Sequence, residues 1–170
     1  MKLLRAQKKD VIVIMGIIKD AQELLASQNI NQWQNGYPNK AIILKDIQNK
    51  ESFILASEIG TYVATAMFST RNEPTYSKIE GRWMSPKQTK YGVIHRMAVS
   101  KNYRGQGMAK FIFNQCEQML SEKKIPSMRI DTHKNNFGMQ KLLKSMGYSY
   151  CGVIYLENGD KRLAFEKLIQ

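Results

Sequence analysis

With 170 residues the chain is expected to form one domain, because a second full domain would leave each half too little chain to bury its own core. Apolar residues make up 43% and charged residues 24%, which argues against a disordered, collagen-like or disulfide-rich protein. The 26 Lys and Arg outnumber the 14 Asp and Glu, and this net charge of +12 points to a nucleic acid, an anionic membrane or a phosphorylated ligand.

The N-terminal part of the chain resembles a signal peptide only in outline. An apolar run at residues 11–18 follows several basic residues, but it ends at Lys19 with no small-residue cleavage site. Apolar residues then continue at helical spacing. We therefore expect a buried amphipathic helix with Asp10 as its N-cap, and no membrane-spanning segment.

The rest of the chain alternates strands and helices. In chain order the predicted elements are a strand at about 2–6, a helix at 10–27, a loop at 29–39, a helix at 39–49, strands at 52–58, 62–70, 78–84 and 91–99, a helix from a glycine-rich turn to 124, a strand at 128–133, a helix from 136 capped by Gly147, and strands at 150–156 and 162–168. This order predicts an α/β (α+β) fold, a mixed sheet with helices on its faces.

Cysteine and histidine are too few and too scattered for a familiar metal site. Cys116 and Cys151 lie in apolar stretches, and neither forms a zinc-type spacing with His95 or His133. We expect two buried free thiols, no metal and a reducing cytoplasm.

The most informative segment is the glycine-rich turn before the long helix. Gly105 and Gly107 let the backbone approach a ligand without a Cβ in the way, and free N–H groups at a helix start favour an anion. Lys101, Arg104 and Lys110 add positive charge. The pattern predicts a pyrophosphate site, the alternative being an ordinary helix-start turn. It matches neither the Rossmann fingerprint nor a Walker loop.

The stretch Arg104-x-x-Gly107-x-Ala109 resembles the Arg/Gln-x-x-Gly-x-Gly/Ala element of the GNAT superfamily of N-acetyltransferases. The stretch from Asn136 to Tyr148 is similar to the family's Asn-x-x-Ala-x-x-Leu-Tyr-x-x-x-Gly-Phe sequence, with the same spacing from Asn to Gly. The resemblance in element order covers nearly the whole chain, so residues 1–170 are identified as one GNAT domain. The stretches at 32–38, 95–99 and 129–133 also look like those of a bacterial group of GNAT proteins of undefined substrate.

The resemblance implies a twisted, mostly antiparallel sheet splayed between its fourth and fifth strands, the segments at 91–99 and 128–133. Acetyl-CoA would lie in that opening as the acyl donor. The cofactor-binding residues that it implies are Met97, Ala98 and Val99 on the fourth strand, Arg104, Gly105, Gln106, Gly107, Met108 and Ala109 in the turn, and Asn136.

Amide formation by direct attack needs a group that deprotonates the amine and donors for the thioester oxygen, but no covalent enzyme intermediate. The candidate bases are Asp131 and His133, which share a strand face, and His95. Deprotonation through water is the alternative.

The family's tyrosine general acid has no counterpart here, because its position falls at Leu143. Tyr148, Tyr150 and Tyr155 are candidate substitutes; otherwise the thiolate leaves unaided or through water. This departure motivates an alternative function, a non-catalytic acyl-CoA-binding sensor.

Three large aromatic residues would wall an amine site, with ordinary packing as the alternative: Trp33, Tyr37 and Trp83. The expected function is acetyl transfer from acetyl-CoA to a primary amine of a small molecule or peptide, by a cytoplasmic monomer or homodimer. A nucleic-acid binder is less favoured, because only the charge supports it and no recognition module is present. No membrane partner is expected.

Overall fold

The structure, a computed structural model, describes all 170 residues. Its strands and helices are β1 (Lys2–Arg5), α1 (Val11–Ser27), α2 (Lys40–Gln48), β2 (Ser52–Ala56), β3 (Tyr62–Ser69), β4 (Glu80–Gly81), β5 (Gly92–Val99), α3 (Met108–Glu122), β6 (Ser127–Thr132), α4 (Phe137–Ser145), β7 (Ser149–Tyr155) and β8 (Lys161–Leu168). The strands form one sheet in the order β1-β2-β3-β5-β6-β8-β7-β4, in which β5 and β6 are parallel. The predicted mixed, mostly antiparallel α/β fold is confirmed.

Two compact units divide the chain. The first unit comprises Met1–Phe68 and Ile94–Gln115, and the second comprises Ser69–Val93 and Cys116–Gln170. Each unit is made from two separate chain segments. A single domain over residues 1–170 stays a prediction.

The core of the first unit forms where the apolar face of α1 meets α2 and the sheet. Ile14 and Ile18 of α1 are fully buried, and they belong to one cluster with Ile43 of α2, Ile54 of β2 and Ala98 of β5. The helical spacing of the apolar residues in α1 is therefore the spacing of its buried face, as predicted. None of the helices combines the length and the apolar character that a membrane span requires.

Asp10 occupies the predicted N-cap position directly before α1, but its side chain makes no capping bond to that helix. A short 3-10 helix, Lys8–Asp10, precedes α1, so the backbone is already helical at Asp10. The Asp10 carboxylate instead accepts a hydrogen bond from the Gln7 N–H at 2.8 Å, as part of a capping box for the 3-10 helix.

The second unit is built around antiparallel pairing of β6, β8, β7 and β4. Gly92 and Val93 of β5 pair in parallel with Met128 and Arg129 of β6. This ladder is only two residue pairs long, and it joins the two strands between which splaying is expected.

The predicted strand at 78–84 is reduced to the two residues of β4. Gly81 packs against Gly152 so closely that a Cβ on Gly81 would lie 2.2 Å from the carbonyl oxygen of Cys151. Beyond it, the N–H groups of Met84 and Ser85 donate to the side chain of Glu166 rather than to a neighbouring strand. Between these two points, the Arg82 N–H still bonds the Cys151 carbonyl of β7 at 2.9 Å, so the pairing with β7 ends between Arg82 and Met84.

Helix α4 begins and ends where its sequence predicts. The Asn136 Oδ1 accepts the N–H of Met139 at 3.1 Å, which makes Asn136 the N-cap. Gly147 has a φ of +83°, and the N–H of Tyr148 reaches back to the carbonyl of Leu143 at 3.0 Å.

Candidate acyl-donor and acceptor residues

The glycine-rich turn of the first unit has the backbone of an anion-binding loop. Gly105 and Gly107 have φ of +73° and +81°, in the left-handed region that favours glycine, and a Cβ on either would meet no protein atom within 4 Å. The N–H of Phe111 bonds to the carbonyl of Gly107 at 2.9 Å. The three preceding N–H groups, of Met108, Ala109 and Lys110, therefore lack an acceptor within the helix. Such a helix start suits an anion.

Asp20 and Arg104 anchor this turn. The Asp20 carboxylate accepts the N–H of Lys101 at 2.9 Å and the hydroxyl of Ser100 at 3.4 Å. The Arg104 guanidinium donates to the carbonyl of Asp20 and, at 3.4 Å, to the carbonyl of Val99. These bonds use two of the five N–H donors of the guanidinium and hold the Arg104 side chain against the turn. Lys101 keeps an exposed side chain.

The residues of β5 that were predicted to contact the cofactor differ in burial. Ala98 is buried in the core of the first unit, whereas Met97 and Val99 are half-buried. The strand is followed by a bond from the Ser100 N–H to the Val63 carbonyl at 2.9 Å. The contacts predicted for Met97 and Val99 are backbone contacts, so they do not depend on the side chains.

Arg96, within β5, has a φ of +51°, a backbone conformation that a non-glycine residue rarely adopts. Its guanidinium donates from Nε and Nη2 to the two carboxylate oxygens of Asp46 at 2.7 and 2.8 Å, and from Nη1 to the hydroxyl of Tyr37 at 2.7 Å. Burial raises the pKa of Asp46, against the lowering effect of Arg96. Burial would lower the pKa of Arg96, but Tyr37 and Asp46 outweigh it and raise that pKa, so the guanidinium stays charged.

The three predicted residues near this pair occupy different environments. Tyr37 is 38% exposed, and its carbonyl accepts a hydrogen bond from the Gln22 side chain at 2.9 Å. Trp33 packs, partly buried, against the core of the first unit. His95 is half-buried and close enough to Asp46 to lower the pKa of that carboxyl. Of the two loop aromatic residues, Tyr37 is therefore the more exposed.

In the second unit, Asp131 is held by a buried phenol. The hydroxyl of Tyr76 donates to Asp131 Oδ2 at 2.8 Å, and Tyr76 is only 2% exposed. Burial first, and the Asp131 charge second, raise the pKa of Tyr76 well above its ordinary value. The phenol therefore stays protonated and orients one oxygen of the half-buried Asp131 carboxylate.

His133 lies two residues further along and is bonded differently. Its Nδ1 accepts the N–H of Asn135 at 3.1 Å, which places the proton of the neutral ring on Nε2. Burial, followed by the charges of Arg162 and Lys134, lowers the pKa of His133. A neutral ring in this tautomer offers a donor at Nε2, so the geometry favours Asp131 over His133 as a base.

Trp83 is packed inside an aromatic cluster of the second unit. It is 9% exposed, and its Nε1 donates to the carbonyl of Tyr76 at 3.1 Å. The guanidinium of Arg129 lies 4.4 Å from the Trp83 ring centroid and 4.2 Å from that of Tyr91. This packing favours the structural alternative for Trp83 over contact with an amine.

Glu166 is the centre of a buried polar network that the sequence does not reveal. Its fully buried carboxylate accepts hydrogen bonds from Met84, Ser85, Ser127 and, at 3.0 Å, the Nε of Arg129. Burial alone would raise the pKa of Glu166, but the hydrogen bonds from Ser127, Ser85 and Arg129 hold it below its ordinary value. The network fixes Arg129, and with it the aromatic cluster.

Leu143 is fully buried, as expected for a residue on the apolar face of α4. The hydroxyls of Tyr148 and Tyr155 each donate to a glutamate, at 2.8 and 2.7 Å. Tyr150 is 58% exposed. Of the three tyrosines considered as general acids, Tyr150 is thus the most accessible.

The family model described as the acetyltransferase (GNAT) family matches residues 18–148. The chain belongs to the GNAT family of acetyltransferases, and this assigns it to acetyl transfer in general terms. The match includes the glycine-rich turn, Asp131 and Asn136.

Solved structures of the same family resemble the chain over almost its whole length. A GNAT-family acetyltransferase from Streptococcus agalactiae is 31% identical with a TM-score of 0.88, covering 99% of this chain and 95% of its own. One from Listeria monocytogenes is 18% identical with a TM-score of 0.77, covering 98% and 94%. A ribosomal-protein-alanine N-acetyltransferase from Brucella melitensis is 14% identical with a TM-score of 0.68, covering 99% of each chain. The Listeria and Brucella structures support the fold alone. No curated protein matches the chain.

Proposed function

We propose that this protein transfers the acetyl group of acetyl-CoA to a primary amine of a small molecule or peptide in the cytoplasm. One observation carries the proposal: the left-handed glycines and free N–H groups of the turn at the start of α3, in a chain of the GNAT family. That geometry fits the pyrophosphate of a coenzyme A thioester.

The residues proposed for the acyl donor keep the roles that the family resemblance implies. Backbone N–H groups from Arg104 to Ala109 hold the pyrophosphate, and the exposed Lys101 adds charge. Backbone groups of Met97 and Val99 pair with the pantetheine arm. Asn136 contacts the donor in addition to capping α4.

The proposed reaction is direct attack. Asp131 accepts a proton from the ammonium group, and the freed nitrogen lone pair attacks the thioester carbonyl carbon. The C–N bond forms and the C–S bond breaks. The second proton of the attacking nitrogen passes through water to the departing thiolate, so the products are the amide and free coenzyme A. The Tyr76 hydrogen bond supports Asp131 in this role, because it fixes one carboxylate oxygen.

A second candidate function is non-catalytic acyl-CoA binding, which the full burial of Leu143 at the family's acid position favours. A thiol-release assay with acetyl-CoA and a panel of amines, run beside calorimetric titration of acetyl-CoA, separates the two. Binding with sustained, amine-dependent thiol release supports the enzyme. Binding without release with any amine supports the sensor, and the absence of binding contradicts both.

A further inference from the structure

We infer that Arg96 is a positioning residue that fixes Tyr37 as the wall of the amine site and ties it to β5. The inference rests on the proposed function and names the acceptor side of the same reaction. The Arg96–Tyr37 hydrogen bond joins the loop between α1 and α2 to β5, the strand proposed to hold the acyl donor.

Arg96 has a backbone conformation that its side-chain contacts must stabilise. A φ of +51° inside a strand is strained for arginine, and such a conformation persists where surrounding contacts over-determine it. Asp46 on α2 supplies those contacts through two parallel hydrogen bonds at 2.7 and 2.8 Å. Both side chains are nearly buried, at 12% and 8% exposure, so the pair is a fixed point rather than a surface ion pair.

The Nη1 group of the Arg96 guanidinium bonds Tyr37. With Nε and Nη2 committed to Asp46, the Nη1 of Arg96 bonds to the Tyr37 hydroxyl at 2.7 Å. The carbonyl of Tyr37 is held separately by Gln22 of α1 at 2.9 Å. The tyrosine is thus fixed at its backbone and at the tip of its ring, although the residue is 38% exposed.

The fixed Tyr37 side chain presents a preorganised surface to the amine substrate. Tyr37 is 38% exposed and held at both ends, and an aromatic residue fixed in this way offers a flat apolar face at little cost in side-chain entropy. Trp33, in the same loop, packs against the core of the first unit and helps to hold the loop in place. We therefore expect a substitution at Tyr37 to weaken binding of the amine more than binding of acetyl-CoA.

The test uses Tyr37→Phe, which removes the hydroxyl and keeps the ring, with Tyr62→Phe as the control. Tyr62 is a half-buried tyrosine of the same unit, on β3. We expect Tyr37→Phe to raise the KM for the amine about tenfold, the loss typical of one charge-assisted hydrogen bond, with kcat and the KM for acetyl-CoA within about twofold. An amine KM equal to that of Tyr62→Phe would overturn the inference.

A second variant tests the role of the guanidinium. Arg96→Lys keeps the charge but cannot bond both Asp46 oxygens and Tyr37 at once. We expect it to raise the KM for both substrates, because it also releases β5. Its control is Arg5→Lys, at an exposed guanidinium of β1 that bonds the Lys50 carbonyl. Equal effects of the two variants would contradict a positioning role for Arg96.

Hydrogen exchange of residues 31–38 separates this inference from the proposed function. We expect exchange there to be about tenfold faster in Tyr37→Phe than in the wild type, and unchanged in Tyr62→Phe. If the wild type releases no thiol with any amine, the proposed function fails, while faster exchange still supports the anchoring of Tyr37. Unchanged exchange, or faster exchange with an unchanged amine KM, overturns the inference.

Discussion

Replacing Tyr76 with Phe removes a single hydroxyl from the second unit and keeps the aromatic packing. The Tyr76 ring lies 5.2 Å from the Trp83 centroid and 6.2 Å from that of Tyr91, and phenylalanine preserves both contacts. What is lost is the 2.8 Å hydrogen bond to Asp131. A buried hydrogen bond to a charged group contributes about 1.5–3 kcal/mol, so we expect the free energy of unfolding to fall by about 2 kcal/mol.

The same change should also slow the reaction. General base catalysis typically contributes about 10²–10⁴-fold, and it depends on the position of the base. Since Tyr76→Phe leaves Asp131 in place but removes the hydrogen bond that orients its Oδ2, we expect kcat/KM to fall about tenfold. Asp131→Asn, which removes the base, should cost about 10²-fold or more.

Urea denaturation and steady-state thiol release measure the two effects, with Tyr91→Phe as the matched control. Tyr91 belongs to the same aromatic cluster and is also buried, but its hydroxyl accepts the N–H of Glu73 at 3.0 Å. We expect Tyr91→Phe to lose about 1 kcal/mol of stability and to keep kcat/KM within about twofold. If Tyr76→Phe retained full kcat/KM, Asp131 would not depend on the phenol and the reasoning would be refuted.

Two further predictions concern buried titratable groups. Glu166→Gln leaves the Arg129 charge buried without its partner, so it should cost about 3–5 kcal/mol of stability in urea denaturation at neutral pH. The folded-state pKa of Glu166 lies below its ordinary 4.5, so the contribution of its carboxylate to the free energy of unfolding is present above pH 4.5 and declines as the pH falls through the folded-state pKa. A stability difference between wild type and Glu166→Gln that did not shrink in acid would contradict this. Burial raises the pKa of the fully buried Cys116 thiol, so a thiol reagent should modify Cys116 no faster than the protein unfolds. Rapid labelling of Cys116 in the native protein, followed by mass spectrometry, would show that the thiol is accessible.

Features with a local physical cause could be predicted from the sequence. Gly105 and Gly107 have the positive φ that the turn requires, and Asn136 and Gly147 cap α4. In each case a residue's own conformational preference, or a bond to a residue a few positions away, decides the structure.

The contacts that position the candidate groups could not be predicted in this way. Tyr76 and Asp131 are 55 residues apart, Arg96 and Asp46 are 50 apart, and Arg129 and Glu166 are 37 apart. No periodicity or spacing connects residues that meet only when the chain folds. A single sequence shows a buried arginine or glutamate as one more surface charge.

Two departures from the predicted local hydrogen bonding have the same origin. Asp10 has a good capping side chain, but a 3-10 helix had already begun upstream. The segment at 78–84 has strand-like composition, but at its end the N–H of Met84, like that of the following Ser85, donates to a buried carboxylate instead of a strand. In both places a competing hydrogen-bond partner overrides the local preference.

The most direct test of the account is calorimetric titration of acetyl-CoA into Gly107→Glu and into Gly60→Glu. Both glycines have a φ of +81°, and a Cβ on either meets no protein atom within 4 Å, so the backbone strain is matched. Only Gly107→Glu places a negative side chain at the start of α3. The account predicts that Gly60→Glu binds acetyl-CoA like the wild type and that Gly107→Glu loses at least about tenfold in affinity, through charge repulsion and the blocked backbone. Unchanged affinity in Gly107→Glu would contradict the assignment of the turn as the acyl-donor site.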